Sequence, residues 1–97
     1  MEIRNLMSFI QVAELNSFTK AAEVLGYSQS TISFQIKQLE TELQCLLFER
    51  INHTITLTER GRELLSYAHD VCRLILSSKF QFYLQAHHWQ FLKPHLF

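Results

Sequence analysis

The strongest constraint on what this chain can fold into is the stretch SFTKAAEVLGYSQSTISFQIKQLETEL from Ser17 to Leu43, where two helical patterns are separated only by a short glycine-bearing turn. Ala21, Ala22 and Leu25 fall on one face of a helix predicted from Phe18 to Leu25, with Ser17 placed to cap it. The two alanines present almost no side-chain bulk, so another helix can cross closely. Gly26 closes the helix, because it takes the left-handed conformation that a tight exit demands. Ser28 is the predicted cap of the next helix, in which Ile32, Ile36, Leu39 and Leu43 make one inward stripe.

Turning that second helix by roughly 100° per residue places Ser30, Ser33, Phe34, Lys37 and Thr41 opposite the stripe, with Gln29 near the helix start. Apart from Phe34 this outer face is polar. A helix, a turn with glycine and a second helix with a polar outer face form the helix-turn-helix pattern, which places its second helix in the major groove of DNA.

The flanks complete an architecture around this pair. Leu6, Phe9, Ile10 and Ala13 recur at helical spacing, predicting a helix from residue 2 to about 15. Beyond Leu43, Ile51, Ile55 and Leu57 alternate with polar residues, and Asn52-His53 supplies a turn, so a short two-stranded wing is expected. A hairpin this small is marginal unless it packs on the helices. Thr58 caps a fourth helix carrying Leu64, Leu65, Ala68, Val71, Cys72 and Ile75, more apolar residues than one small core needs, so a partner helix is the natural outlet. The expected fold is mainly α: a winged helix-turn-helix with a β-hairpin wing over 1–58, a linker or dimerisation helix over 59–78, and an aromatic-rich tail over 79–97.

Composition limits the functional classes. In 97 residues with 47% apolar content there is room for one small core. Nine Lys and Arg against nine Asp and Glu give zero net charge, so bulk charge does not announce nucleic acid. Distribution is more informative: Val24 to Leu39 and Arg50 to Thr58 contain no carboxylate. Cys45 and Cys72 are far apart and form no CxxC pair, which points to a reducing, cytoplasmic setting. The start MEIRNLMSF has no stretch suited to export or membrane insertion, and no membrane partner is expected. His69 and Cys72 are a single i, i+3 pair and His87 and His88 are adjacent, so no metal site is expected. With no phosphate loop or activated nucleophile, neither enzyme activity nor a cofactor is expected.

The Ser17–Leu43 stretch, followed by LFERINHTITLTERG, resembles the signature of the LysR-type transcriptional regulators, from Met1 to about Ala68. The resemblance implies a winged helix-turn-helix that binds double-stranded DNA as a homodimer on an inverted repeat, with the fourth helix, 59–78, as the dimerising linker. Full-length members continue into a sensor domain, and no small-molecule effector site is expected in this chain. Carried onto these positions, the resemblance gives Gln29, Ser30 and Ser33 of helix 29–42 contacts to base edges. Gln can bond adenine in bidentate fashion and Ser can donate or accept. Thr31, Gln35 and Lys37 are implied nearer the backbone or flanking bases, and Ser28 is a further DNA-binding candidate. Three positions depart from the family: Gln44 stands where Gly is common, His53 where a wing Arg is common, and Phe34 where Arg is frequent.

Each of these residues also has a plainer reading. The polar face of the second helix is, by itself, an ordinary solvated surface. Phe34 is either a partner for a thymine methyl or an exposed aromatic that meets the tail. Arg50 and His53 are the wing candidates for DNA contact, His53 the more so when protonated. Arg50, beside Phe48 and Glu49, could equally hold the wing to the helices through an ion pair. The tail KFQFYLQAHHWQFLKPHLF has no clean period and resembles nothing in the family. Two rivals to DNA recognition stand beside it: a winged-helix protein interaction module, and a fragment that pairs with an intact relative.

Overall fold

A computed structural model describes residues 1–76 of the chain. The tail at 79–97 and the last two positions of the expected linker helix lie outside the described residues. Four helices and one hairpin follow in the order α1 (Ile3–Leu15), α2 (Phe18–Leu25), α3 (Gln29–Leu43), β1 (Phe48–Ile51), β2 (Thr54–Leu57) and α4 (Glu59–Leu76). This is the expected winged helix-turn-helix.

The helix boundaries are set by local chemistry. The Ser17 hydroxyl accepts from the Lys20 amide at 3.0 Å, and the Ser28 hydroxyl from the Thr31 amide at 3.1 Å, each satisfying an amide that has no partner within its helix. Gly26 ends α2 at φ 76°, and the Tyr27 amide reaches back to the Ala22 carbonyl at 3.0 Å. The same geometry closes α3, but with Gln44 in the left-handed region at φ 55° and the Cys45 amide on the Glu40 carbonyl at 3.2 Å. Gln44 thus adopts the same turn against the preference of a residue that carries a Cβ.

The core forms where α1, α2 and α3 meet. Phe9, Val12, Ala21, Ile32, Leu39 and Leu47 have no solvent exposure, and Ala68 and Cys72 bring α4 against the same cluster. Ala21 and Ala22 are both buried, the small-residue crossing that their size predicts. Leu43 corrects the expected stripe: it is 37% exposed, unlike Ile32, Ile36 and Leu39. The reason is geometric. Asn5 bonds Gln38, Ser8 bonds Gln35 and the Met1 ammonium pairs with Glu42, so α1 runs antiparallel to α3 and its first turn ends short of Leu43.

The wing is an antiparallel pair with Phe48 opposite Leu57 and Ile51 opposite Thr54. Asn52 and His53 both have positive φ, 51° and 65°, the two-residue turn whose twist matches a hairpin. The wing is anchored by Phe48, whose ring lies 5.4 Å from Phe9 and 5.9 Å from Phe18. Such offset and edge contacts add about 0.5–1.5 kcal/mol each beyond burial, which resolves the marginality of so short a hairpin.

Thr58 joins wing to α4. Its hydroxyl accepts from the Gly61 amide at 3.0 Å and donates to the Leu46 carbonyl at 2.7 Å, while its own amide bonds the Leu47 carbonyl at 3.0 Å. His69 of α4 meets Glu14 of α1 at 3.2 Å. Tyr67 and Val71, by contrast, are 65% and 40% exposed on α4, leaving apolar surface outside the core.

Candidate nucleic-acid interface

The outer face of α3 begins at its cap. Ser28, Gln29 and Ser30 are exposed and Thr31 is half-buried. Their side chains form a small network, with the Ser28 oxygen 3.1 Å from the Ser30 hydroxyl and 2.9 Å from that of Thr31. Hydroxyls paired this way share one proton each and keep lone pairs free, so they can face either donors or acceptors. One turn on, Ser33, Phe34 and Lys37 are exposed on the same side.

Gln29 is tied to the neighbouring helix. Its Oε1 accepts from Thr19 Oγ1 at 3.2 Å, a bond from the start of α2 to the start of α3. The carbonyl oxygen retains a second lone pair and the amide nitrogen both donors, so the contact orients the amide without exhausting it. Thr19 is a residue that sequence reasoning passed over. The signal was available in its position two residues after the Ser17 cap, which exposes it at the helix start beside the turn.

Gln35 is a correction. Expected near the DNA backbone or flanking bases, it is 6% exposed, and its Oε1 accepts from the Ser8 hydroxyl in the α1–α3 seam. On a helix it sits three residues beyond Ile32 and one before Ile36, inside the buried arc rather than opposite it. With Asn5, itself 2% exposed and donating to Gln38 at 3.0 Å, it forms a polar seam that fixes how α3 lies on α1. Gln35 therefore leaves the candidate contact set and becomes a positioning residue.

Carboxylates near the face are tied elsewhere. Glu40, the first acid after the acid-free stretch, accepts from the Leu47 amide at 2.9 Å, and Glu42 pairs with the Met1 ammonium at 3.1 Å. The first bond uses a negative charge to hold the α3–β1 connection. Both leave the polar face neutral to basic, with Lys37 its cation.

In the wing, the Arg50 guanidinium carbon lies 5.2 Å from the centre of the Phe18 ring. The expected alternative of an ion pair is replaced by this cation–π contact: among the described residues Arg50 makes no ion pair. The ring holds the cation while leaving its N–H donors available to an external acceptor. His53 sits exposed at the hairpin tip, two residues past Ile51. Among the described residues no group of three or more His, Cys, Asp or Glu could hold a metal, and no helix is long and apolar enough to cross a membrane.

Comparison with known proteins places this geometry among regulators. The family described as "Bacterial regulatory helix-turn-helix protein, lysR family" matches residues 3–62. The chain is 42% identical over 79 residues to the uncharacterized HTH-type transcriptional regulator YwqM of Bacillus subtilis (strain 168), a match covering 81% of this chain and 27% of that protein. It is 46% identical over 68 residues to the RuBisCO operon transcriptional regulator of Allochromatium vinosum, across 70% of this chain and 22% of that protein. The chain thus spans about a quarter of the length of the curated relatives it matches. Among solved structures it is similar to the CbnR DBD–DNA complex, with a TM-score of 0.78, 36% identity, and coverage of 90% of this chain and 100% of that one. The BenM DBD in complex with benA site 1 DNA is also similar, at TM-score 0.78 and 34% identity, with coverage of 91% and 99%.

Proposed function

This chain belongs to the lysR family of bacterial regulatory helix-turn-helix proteins, and from that membership we propose that it regulates transcription by binding double-stranded DNA at a specific sequence. The observation that carries the proposal is the outer face of α3: polar, free of carboxylates, opened by the Ser28 cap, and locked to the core by the Ser8–Gln35 and Asn5–Gln38 bonds. A face held this firmly can present hydrogen-bonding groups to base edges in one register. Complexes of similar DNA-binding domains with DNA support the same use of the fold.

Each residue has a role by its chemistry. Gln29, oriented by Thr19, reads a base edge through its amide, with Ser30 and Ser33 beside it. Ser28 and Thr31, at the helix N-terminus, and Lys37 meet phosphate oxygens, where positive charge and unpaired amides are favoured. Arg50 and His53 meet the backbone or the minor groove from the wing. The exposed Tyr67–Val71 surface of α4 pairs two copies, and a two-fold dimer reads an inverted repeat. The protein acts in the cytoplasm, where its DNA lies, and by binding rather than catalysis.

Selection from a random-sequence duplex library tests the proposal. The expected product is an enriched inverted repeat. Recovery of no common sequence would remove DNA reading and leave the interaction module as the function of the face.

A further inference from the structure

We propose that Phe34 reads the 5-methyl group of a thymine in the major groove, so that one T·A pair in each half-site is specified by an apolar contact. The inference rests on the DNA-binding reading above and names what one further residue of that face recognises.

Phe34 is 64% exposed. Among the described residues no other ring stacks on it, whereas Phe9, Phe18 and Phe48 gather into one aromatic cluster of their own. A single exposed aromatic is unremarkable on most surfaces. This one sits in the middle of the face that enters the groove, with Ser30 one turn before it and Lys37 just under one turn after it on the same side. The neighbours fix its depth: side chains that can reach base edges and phosphates bracket it.

At that depth the base edges offer hydrogen-bond donors, acceptors and only one apolar group, the thymine methyl. A phenyl ring can satisfy none of the polar ones. Placed over cytosine N4, guanine O6 or adenine N6, it would strip water from a group and return no hydrogen bond, which is unfavourable. Placed over the thymine methyl, it covers apolar surface with apolar surface. Attraction to thymine and exclusion of the other three bases therefore act in the same direction. Burying one methyl corresponds to about a fourfold change in affinity.

The test uses the whole chain and the duplex enriched from the random library. Each thymine is replaced in turn by deoxyuridine, which removes the methyl and leaves every hydrogen-bonding group in place. Anisotropy titrations are then repeated with Phe34→Ala and Phe34→Leu. The expected result is one symmetry-related thymine position at which deoxyuridine weakens the parent protein about fourfold per half-site. Phe34→Ala should lose that sensitivity and Phe34→Leu should keep part of it. Circular dichroism confirms that the variants remain folded, as an exposed position allows. Equal sensitivity in the parent and Phe34→Ala, or no sensitive thymine anywhere, would overturn the assignment while leaving DNA binding intact. Failure to enrich any duplex would instead overturn the DNA-binding reading and this inference with it.

Discussion

Gly61 sits in the first turn of α4 where the helix passes over the chain leaving α3, and replacing it with alanine should destabilise the domain even though alanine is the better helix former. A Cβ there would lie 2.3 Å from the Leu47 carbonyl oxygen and 2.9 Å from Leu57 Cδ2. The obstructing carbonyl cannot retreat. The Leu47 side chain is fully buried, its amide is held by Glu40 at 2.9 Å, and its oxygen accepts from the Thr58 amide at 3.0 Å. Helix α4 must lift instead, opening one or both of the bonds that Thr58 makes to Leu46 and Leu47. Overpacking of this kind costs about 1–3 kcal/mol and each lost hydrogen bond about 0.5–1.5 kcal/mol. Helix propensity returns about 1 kcal/mol. At the middle of these ranges the net is a loss of about 2–3 kcal/mol, or a fall in Tm of about 10–20 °C for a domain this small. Thermal and urea unfolding followed by circular dichroism would measure it. A Gly61→Ala variant as stable as the parent, or more so, would refute the close approach of α4 to the Leu47 backbone.

Other consequences follow from the caps, the wing and the cysteines. Gln44→Gly should raise stability by about 0.5–1 kcal/mol, because φ at 55° is unfavourable for any residue with a Cβ; unchanged urea midpoints would count against a strained left-handed turn there. A double-mutant cycle on Phe18→Leu and Arg50→Ala should return a coupling of about 0.5–1 kcal/mol in unfolding free energy, and a coupling of zero would remove the cation–π anchor of the wing. Burial pushes the Cys72 thiol above its ordinary value of 9.0, whereas Cys45 is only half-buried. An aromatic disulfide reagent at pH 8 should therefore titrate one thiol quickly, with the second delayed until urea is added; two thiols of equal rate would contradict the packing of α4. Because the folded state favours the protonated Cys72 thiol, its contribution to stability is complete below the unfolded thiol's pKa and is lost as pH rises through the raised one.

Much of the fold was legible because local signals and periodicity agreed. Ser17, Gly26 and Ser28 mark boundaries through chemistry that needs no tertiary contact, and Ala21 and Ala22 on α2, like Ile32, Ile36 and Leu39 on α3, line a face that only burial explains. Leu43 failed because periodicity gives direction and not cover: α1 ends before it. Gln35 failed for a different reason: its DNA role came from the family resemblance, while its place in the buried arc answers to Ser8, far away in sequence. Thr19 was legible as an exposed residue beside the turn, but its bond to Gln29, like the Phe18 ring beneath Arg50, joins elements in a way that no spacing in the chain encodes. Gly61 carried a weak signal as a glycine inside a helical pattern, but its cause, the Leu47 carbonyl, exists only in the assembled fold.

The central claim is that the outer face of α3 reads bases, and it is tested most directly by measuring how Gln29→Ala changes discrimination along the enriched duplex. Anisotropy titrations of the parent and the variant against every single-pair change of that duplex would be compared, at several salt concentrations. A lost bidentate contact should flatten discrimination by about 1–3 kcal/mol at one symmetry-related position. The dependence of log affinity on log salt should stay the same, because no phosphate contact is removed. An equal loss of affinity on every duplex, or an unchanged pattern of discrimination, would contradict the assignment of α3 as the reading helix.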